Sequence, residues 1–432
     1  MALTLSGTNG VVGAGFSINR VGAVAGIATF SSAKVGGGVT ITESGIEASG
    51  IGITCASING TQIGGRRNII INGAMMVAQR NTSSSSSGNT QQTVDRFYVD
   101  VGGADEQPTQ AQVDVASGTT PYTLGFRKSY KITNGNQTSG AGGTDYIAYI
   151  MKLEAQDIAN SGWNYTDPNS FITLSFWIKS SVAQAFSGSL RSVDGSVYHY
   201  KYDTPSLSAD TWTKVIKTIP GNANLTFNND NGHGFTFSLQ AFIGTTYTSS
   251  NSDTETWLPY SSTRFANNMT STWYTTNDAT LELTGVQLEV GSQATAFEHR
   301  SFGEELRLCQ RYYYQNTSYG TVAQTNSGET INQAGFGGIT MYSANSGRSP
   351  FIYHPVMMRA APTTTFYSAS NAAGGADNKL SVYSAGTNWD NVATNTTNAS
   401  TFHVGFKITT TDSFTAGYTY LMGGQFSCSA EL

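Results

Sequence analysis

Phe171-Ile-Thr-Leu-Ser-Phe-Trp-Ile178 carries Ile172, Leu174, Phe176 and Ile178 at every second position. Side chains of a strand point alternately to its two faces, so this spacing predicts a strand with one buried face. A helix would need apolar residues every three or four positions. The same period recurs on both sides of the stretch. Phe235, Phe237, Leu239, Ala241 and Ile243 share one face, and so do Ile147, Tyr149, Met151 and Leu153. Tyr198, Tyr200 and Tyr202 alternate as well. In Leu281-Glu-Leu-Thr-Gly-Val-Gln-Leu-Glu-Val290 the parity changes, from Leu281 and Leu283 to Val286, Leu288 and Val290. The change falls at Gly285, which predicts a β-bulge there. Trp177 and Phe242 point away from the inferred core faces and are candidates for a second sheet surface or an intersubunit contact. Several such strands separated by turns predict an antiparallel sandwich over residues 67–300.

One helix is predicted after it. Ser301-Phe-Gly-Glu304 is a capping box, in which a hydroxyl and a carboxylate satisfy free backbone N–H groups at the helix start. Phe302, Leu306, Cys309 and Tyr313 then form a stripe at helical spacing, so Cys309 reads as a small core residue. This helix, residues 301–315, joins the sandwich to a second, smaller β-domain over residues 316–432. There Phe402, Val404, Phe406 and Ile408 alternate, and residues 415–426 read as a final strand pair. Residues 368–400, rich in Ala, Gly, Asn, Ser and Thr, read as loops, as does the serine run at 83–87. Residues 1–66 are Gly-rich and nearly free of aromatics, with short β-prone pieces at 27–30, 38–42 and 52–55. Each piece is too thinly apolar to build a core alone, which predicts a β-stem of three intertwined identical chains; a flexible Gly-rich arm is the competing reading. The chain as a whole is therefore expected to be all-β.

Composition narrows the function. Of 432 residues, 12% are charged, the formal net charge is −5, and no basic cluster exceeds Arg66-Arg67. Phosphate-backbone binding needs clustered cations, so nucleic acid is not an expected partner. No apolar run reaches the length of a membrane span, so no membrane insertion is expected. The start of the chain lacks the basic and apolar regions of a signal peptide. Cys55, Cys309 and Cys428 are odd in number and widely spaced, which disfavours a disulfide scaffold and suits synthesis in a reducing cytoplasm. Five scattered histidines contain no HxH or HExxH pair, so no metal or cofactor is expected.

Several segments resemble a domain widespread in phage tail fibres and related virion proteins. They are Asn68-Ile-Ile-Ile-Asn-Gly73, Ala78-Gln-Arg80, Val94-Asp-Arg-Phe97, Leu283-Thr-Gly-Val-Gln-Leu-Glu-Val-Gly291, the run from Phe297 through Tyr313, Pro355-Val-Met-Met-Arg-Ala-Ala-Pro362, and the final Ser429-Ala-Glu-Leu432. The Gly-rich start is similar to stems of fibre-like proteins of marine and cyanobacterial phages. The resemblance implies a jelly-roll sandwich akin to carbohydrate-binding modules, a connecting helix, a C-terminal β-domain and a homotrimer. It brings no catalytic residues.

The expected function is a structural protein of the virion, of the tail-fibre type. Residues 1–66 would anchor it to other virion proteins, and it would contact host surface polysaccharide. A capsid decoration, head-fibre or adaptor role is the alternative, and a polysaccharide depolymerase a further one. Trp257, Tyr260, Trp273 and Tyr274 lie in a polar, turn-rich segment and are the candidate contact residues, because aromatic faces stack on sugar rings. Packing under the loop is the competing reading. For hydrolysis, Asp230, Asp253, Glu255 and Asp278 are the carboxylates at hand, and nothing in their spacing pairs them.

Overall fold

The computed structural model describes five short strands within residues 1–66, and residues 67–85, 90–248, 254–321, 323, 337–367, 378–384, 388–410 and 414–432. The chain is nearly all β, and it separates into two compact units, Met1–Ala56 and Ser57–Leu432. In the first unit Ser32–Val35, Val39–Thr42 and Gly45–Ala48 form an antiparallel meander. The middle strand matches the expected piece at 38–42, whereas those at 27–30 and 52–55 lie outside the described residues.

The second unit holds a jelly-roll-like sandwich of two six-stranded antiparallel sheets. Sheet A runs, in spatial order, Trp257–Pro259, Tyr198–Asp203, Ser187–Ser192, His233–Ile243, Tyr146–Glu154, Phe97–Gly102. Sheet B runs Thr213–Pro220, Phe171–Ser180, Thr280–Val290, Lys128–Thr133, Thr109–Asp114, Ser83–Ser84. The last is a two-residue strand inside the serine run, paired with Gln110 and Ala111 where a loop was expected. The alternation decides what lies between the sheets: Ile172, Leu174, Phe176 and Ile178 pack with Phe235, Phe237, Leu239, Ile147, Tyr149 and Met151 in one core.

Two bulges re-aim side chains. Ser175 pairs with Gln287 and Trp177 with Thr284, so one residue faces two at Gly285, as the parity change predicts. Gly285 has φ +65, and a Cβ there would come within 2.7 Å of the Phe126 ring, so glycine is needed on both counts. Trp177 lies on the outer face of sheet B, packed with Phe126, Trp212 and Phe297 of its own chain. The second bulge was not foreseen. Ile147 pairs with Phe242 and Ala148 with Gln240, which leaves Ala241 unmatched. Phe242 therefore turns into the core, stacked 4.4 Å from Tyr274, and Ile243 turns out of it.

The capping box forms, with the Ser301 side chain accepting from the Glu304 N–H, at the start of helix Phe302–Gln310. Its expected stripe holds only in part. Cys309 is buried, but Phe302 is 43% exposed against the Tyr319 ring, and Tyr313 has already left the helix for the strand Tyr313–Gln315. The place of Phe302 is taken by Glu305, which accepts the Asn72 N–H at 2.5 Å.

Beyond the helix, Ser346–Arg348 pairs with both Gly337–Ser343 and His403–Thr409, which closes six strands into a barrel around its own core. Residues 368–400 are not all loop, because Lys379–Ser384 and Asn388–Ala399 are barrel strands. The expected final strand pair is also corrected. Thr419–Gly423 belongs to the barrel, and Gln425–Ser429 to a three-stranded sheet with Tyr313–Gln315 and Thr363–Tyr367.

Candidate functional site: a groove on the outer face of sheet A

Most segments that carry the family resemblance meet at one buried junction between sandwich and barrel. A Cβ on Gly73 would sit 2.0 Å from the Val286 carbonyl oxygen, so only glycine allows that approach. Arg300 donates to the carbonyls of Asn68 and Ile70 and pairs with Glu298 and Glu305. Arg80 lies between Asp95 and Glu431, its guanidinium 3.6 Å from the Tyr313 ring centroid. Arg96 binds Glu431 and the Lys152 carbonyl, 3.4 Å above the Tyr312 ring. Arg311 holds Glu154 through two bonds of 2.7 Å. Burial alone would raise the Glu154 pKa; those bonds and the Tyr312 hydroxyl outweigh it and hold the carboxyl below its usual range. Arg359 closes the junction by donating to the carbonyls of Asn231, Ala430 and Glu431. Arg80, Arg96, Arg300 and Arg311 each hold a carboxylate, so the junction is a structural joint, although Arg80 Nη1 and Arg96 Nε have no hydrogen-bond partner.

The opposite face of sheet A differs. In Phe97–Gly102, Phe97 and Val99 enter the core, which sends Tyr98 and Asp100 outward. The same alternation sends out Tyr146, Ala148 and Ile150 from the neighbouring strand and Thr236 and Gln240 from the strand beyond it. Tyr98, Ala148 and Ile150 form a small apolar cluster of their own. With Arg191, Ile243, Tyr247, Tyr260 and Phe265 these residues line a groove of about 250 Å³. One wall is the segment after sheet A's longest strand, held by Phe265 N–H to the Tyr247 carbonyl and Tyr260 N–H to the Val197 carbonyl. Tyr146 meets Tyr247 edge-on at 5.8 Å, and the Arg191 guanidinium lies 5.2 Å from the Tyr260 ring centroid. Two buried polar atoms here have no hydrogen-bond partner, Asp100 Oδ1 and Arg191 Nε. Burial pushes the Asp100 carboxyl up, with the nearby Tyr146 hydroxyl and Lys152 pulling it back. A second crevice of about 260 Å³, beside Arg67, Gln156 and Asn160, is lined by no aromatic ring among the described residues.

Comparison with family models finds no match, and comparison with curated proteins finds none either. Among solved structures the chain is similar to the enzymatically active domain of tailspike protein 4 of bacteriophage CBA120, with 12% identity and a TM-score of 0.27 over 49% of this chain. That match spans 21% of the tailspike chain. The chain is also similar to the family 11 carbohydrate-binding module of Clostridium thermocellum (12% identity, 51% of this chain and 99% of that one, TM-score 0.21). A family 30 carbohydrate-binding module matches at 10% identity over 52% of this chain and 90% of that one, with a TM-score of 0.22.

Of the four aromatics singled out in the sequence, only Tyr260 reaches the groove. Trp257, Trp273 and Tyr274 are core residues, 5%, 0% and 1% exposed, and offer no ring face to a partner. Trp257 packs on Tyr200 and donates to the Pro220 carbonyl; Trp273 donates to the Thr280 carbonyl from the short helix Thr272–Thr275. The polar composition around them reflects a covering segment whose rings point down into the sandwich. His299 makes an orienting bond, from its Nε2 to the Leu124 carbonyl at 2.8 Å. Of the carboxylates considered for hydrolysis, Glu255 pairs with Lys217, Asp230 accepts the Gly232 N–H, and Asp253 lies outside the described residues. Asp100 is the carboxylate lining the groove among the described residues. The sequence reading passed over Tyr98, Asp100, Tyr146, Arg191 and Tyr247.

Proposed function

We propose that the chain is a structural protein of a phage virion, of the tail-fibre kind, whose sandwich binds host surface glycans in the groove on sheet A without cleaving them. The observation that carries the binding part is the groove itself: tyrosine rings around an apolar floor, with a guanidinium and a carboxylate whose hydrogen-bonding capacity is unfilled. Rings supply apolar stacking for a sugar face, and unfilled polar atoms read its hydroxyls. The virion part rests on the Gly-rich residues 1–66 and on the sequence resemblance. A homotrimer joined through that stem to other virion proteins would multiply weak glycan contacts into avidity. The test is binding of the intact protein to an array of bacterial surface oligosaccharides. Tyr146→Ala with Tyr260→Ala is expected to abolish detectable binding. Undiminished binding by that double variant would put the glycan site elsewhere.

A second reading, assembly within the particle as a head fibre or adaptor, is favoured by the barrel surface. There Phe351, Tyr353, Met357 and Phe402 are 50%, 75%, 51% and 58% exposed, more apolar surface than an isolated loop tip needs. Gold labelling of the barrel on intact phage separates the two: label around the tail supports adhesion, and label over the head supports assembly.

A further inference from the structure

On the outer face of sheet A, the groove arginine has no carboxylate partner among the described residues. Arg191 leaves the strand Ser187–Ser192 between Thr236 and His199, its partners in register on the two flanking strands. It makes no ion pair among the described residues, its Nε has no acceptor, and its guanidinium lies over Tyr260. The junction arginines are built differently: Arg80, Arg96, Arg300 and Arg311 each hold a carboxylate. Lys152 lies on the same outer face, since Met151 and Leu153 enter the core. Its ammonium is 5.6 Å from the Tyr98 ring and donates to the Leu432 main-chain oxygen. His233, at the end of its strand on this sheet, is kept neutral by burial and by these two cations. The groove itself is lined by one carboxylate, Asp100, which burial biases toward its neutral form and which makes no ion pair with Arg191.

A partly desolvated cation without a counter-ion is costly, and an anion seated beside it removes that cost. The planar guanidinium fork matches a carboxylate or a sulfate with two parallel hydrogen bonds. We infer that the groove selects anionic glycans, taking the carboxylate or sulfate ester of a sugar on Arg191 while the sugar ring packs on the tyrosines. The inference rests on the reading of the groove as a glycan site.

Titration calorimetry on the intact protein, at low salt, with three probes decides it. The probes are a polygalacturonate oligosaccharide, its carboxyl-reduced neutral counterpart, and a sulfated galactan oligosaccharide. At least one anionic probe is expected to bind ten-fold or more tighter than the neutral one, and more weakly as sodium chloride rises. Which anionic probe wins separates carboxylate from sulfate. Arg191→Gln is expected to weaken that probe about 10- to 100-fold and the neutral probe by much less. Arg191→Lys should fall between, because the charge remains and the fork is lost. Equal binding of neutral and anionic probes, abolished by Tyr146→Ala but indifferent to Arg191→Gln, would overturn the inference and leave the glycan site standing. No binding of any probe would overturn both.

Discussion

Arg96 and Arg191 sit on the same sandwich in contrasting surroundings. Arg96 is 1% exposed, adopts φ +71, and has Glu431, a backbone carbonyl and the Tyr312 ring around it. Arg191 keeps a ring contact but has no carboxylate partner among the described residues; the unbonded Nε is common to both. One fold thus uses arginine as internal mortar at the sandwich–barrel junction and as an open valence in the groove. The difference teaches where to look for a ligand site in this fold. The sequence segments that resemble a family build the joint, and the groove is assembled from residues those segments do not contain.

The comparison can be broken most severely at the junction. Arg96→Ala leaves the largely covered Glu431 carboxylate with Arg80 alone, and removing one partner of a buried pair costs about 3–5 kcal/mol. Denaturant unfolding should show that loss, and should show sandwich and barrel unfolding together in the wild type, since Glu431 and Arg359 tie one to the other. A second strain on the joint is Gly73→Ala, whose methyl group meets the Val286 carbonyl. Overpacking against backbone is expected to lower stability by about 1–3 kcal/mol, read as a lower thermal midpoint.

His233 gives a smaller effect with a definite sign. Burial, helped by Lys152 and Arg191, lowers its pKa from 6.5 to about 4. The unfolded chain therefore binds the proton first, and stability falls as pH drops from 6.5 toward 4. The loss from this residue is about 1–2 kcal/mol, given its partial contact with water. Thermal midpoints at pH 7.5 and 5.0 should move less in His233→Gln than in the wild type; equal shifts would show that the ring does not titrate across folding.

Much of the fold was legible because burial is written in period 2. The faces of residues 147–153 and 172–178, the bulge at Gly285 and the capping box at Ser301 follow from single-strand or single-turn patterns. Asn388–Ala399 was not legible as a strand. Its Asn and Thr residues carry no apolar period, and its ladder partners on both sides hold it. Phe242 was misplaced because the bulge at Ala241 has no glycine to announce it. The groove was hidden for a topological reason. Strands that are distant in sequence lie side by side in sheet A, so Tyr98, Tyr146 and Arg191 become neighbours only after folding. Each is an outward residue of a well-read strand, and strand order is what the period does not encode.

The central claim is that the groove's charge is kept for a ligand and does not serve the fold. Denaturant unfolding of Arg191→Gln beside the wild type tests it most directly. The account predicts stability within about 0.5 kcal/mol of wild type, or above it, because no partner is left stranded. A loss of about 3 kcal/mol, of the size expected for Arg96→Ala, would make Arg191 another piece of the structural joint and would contradict the account.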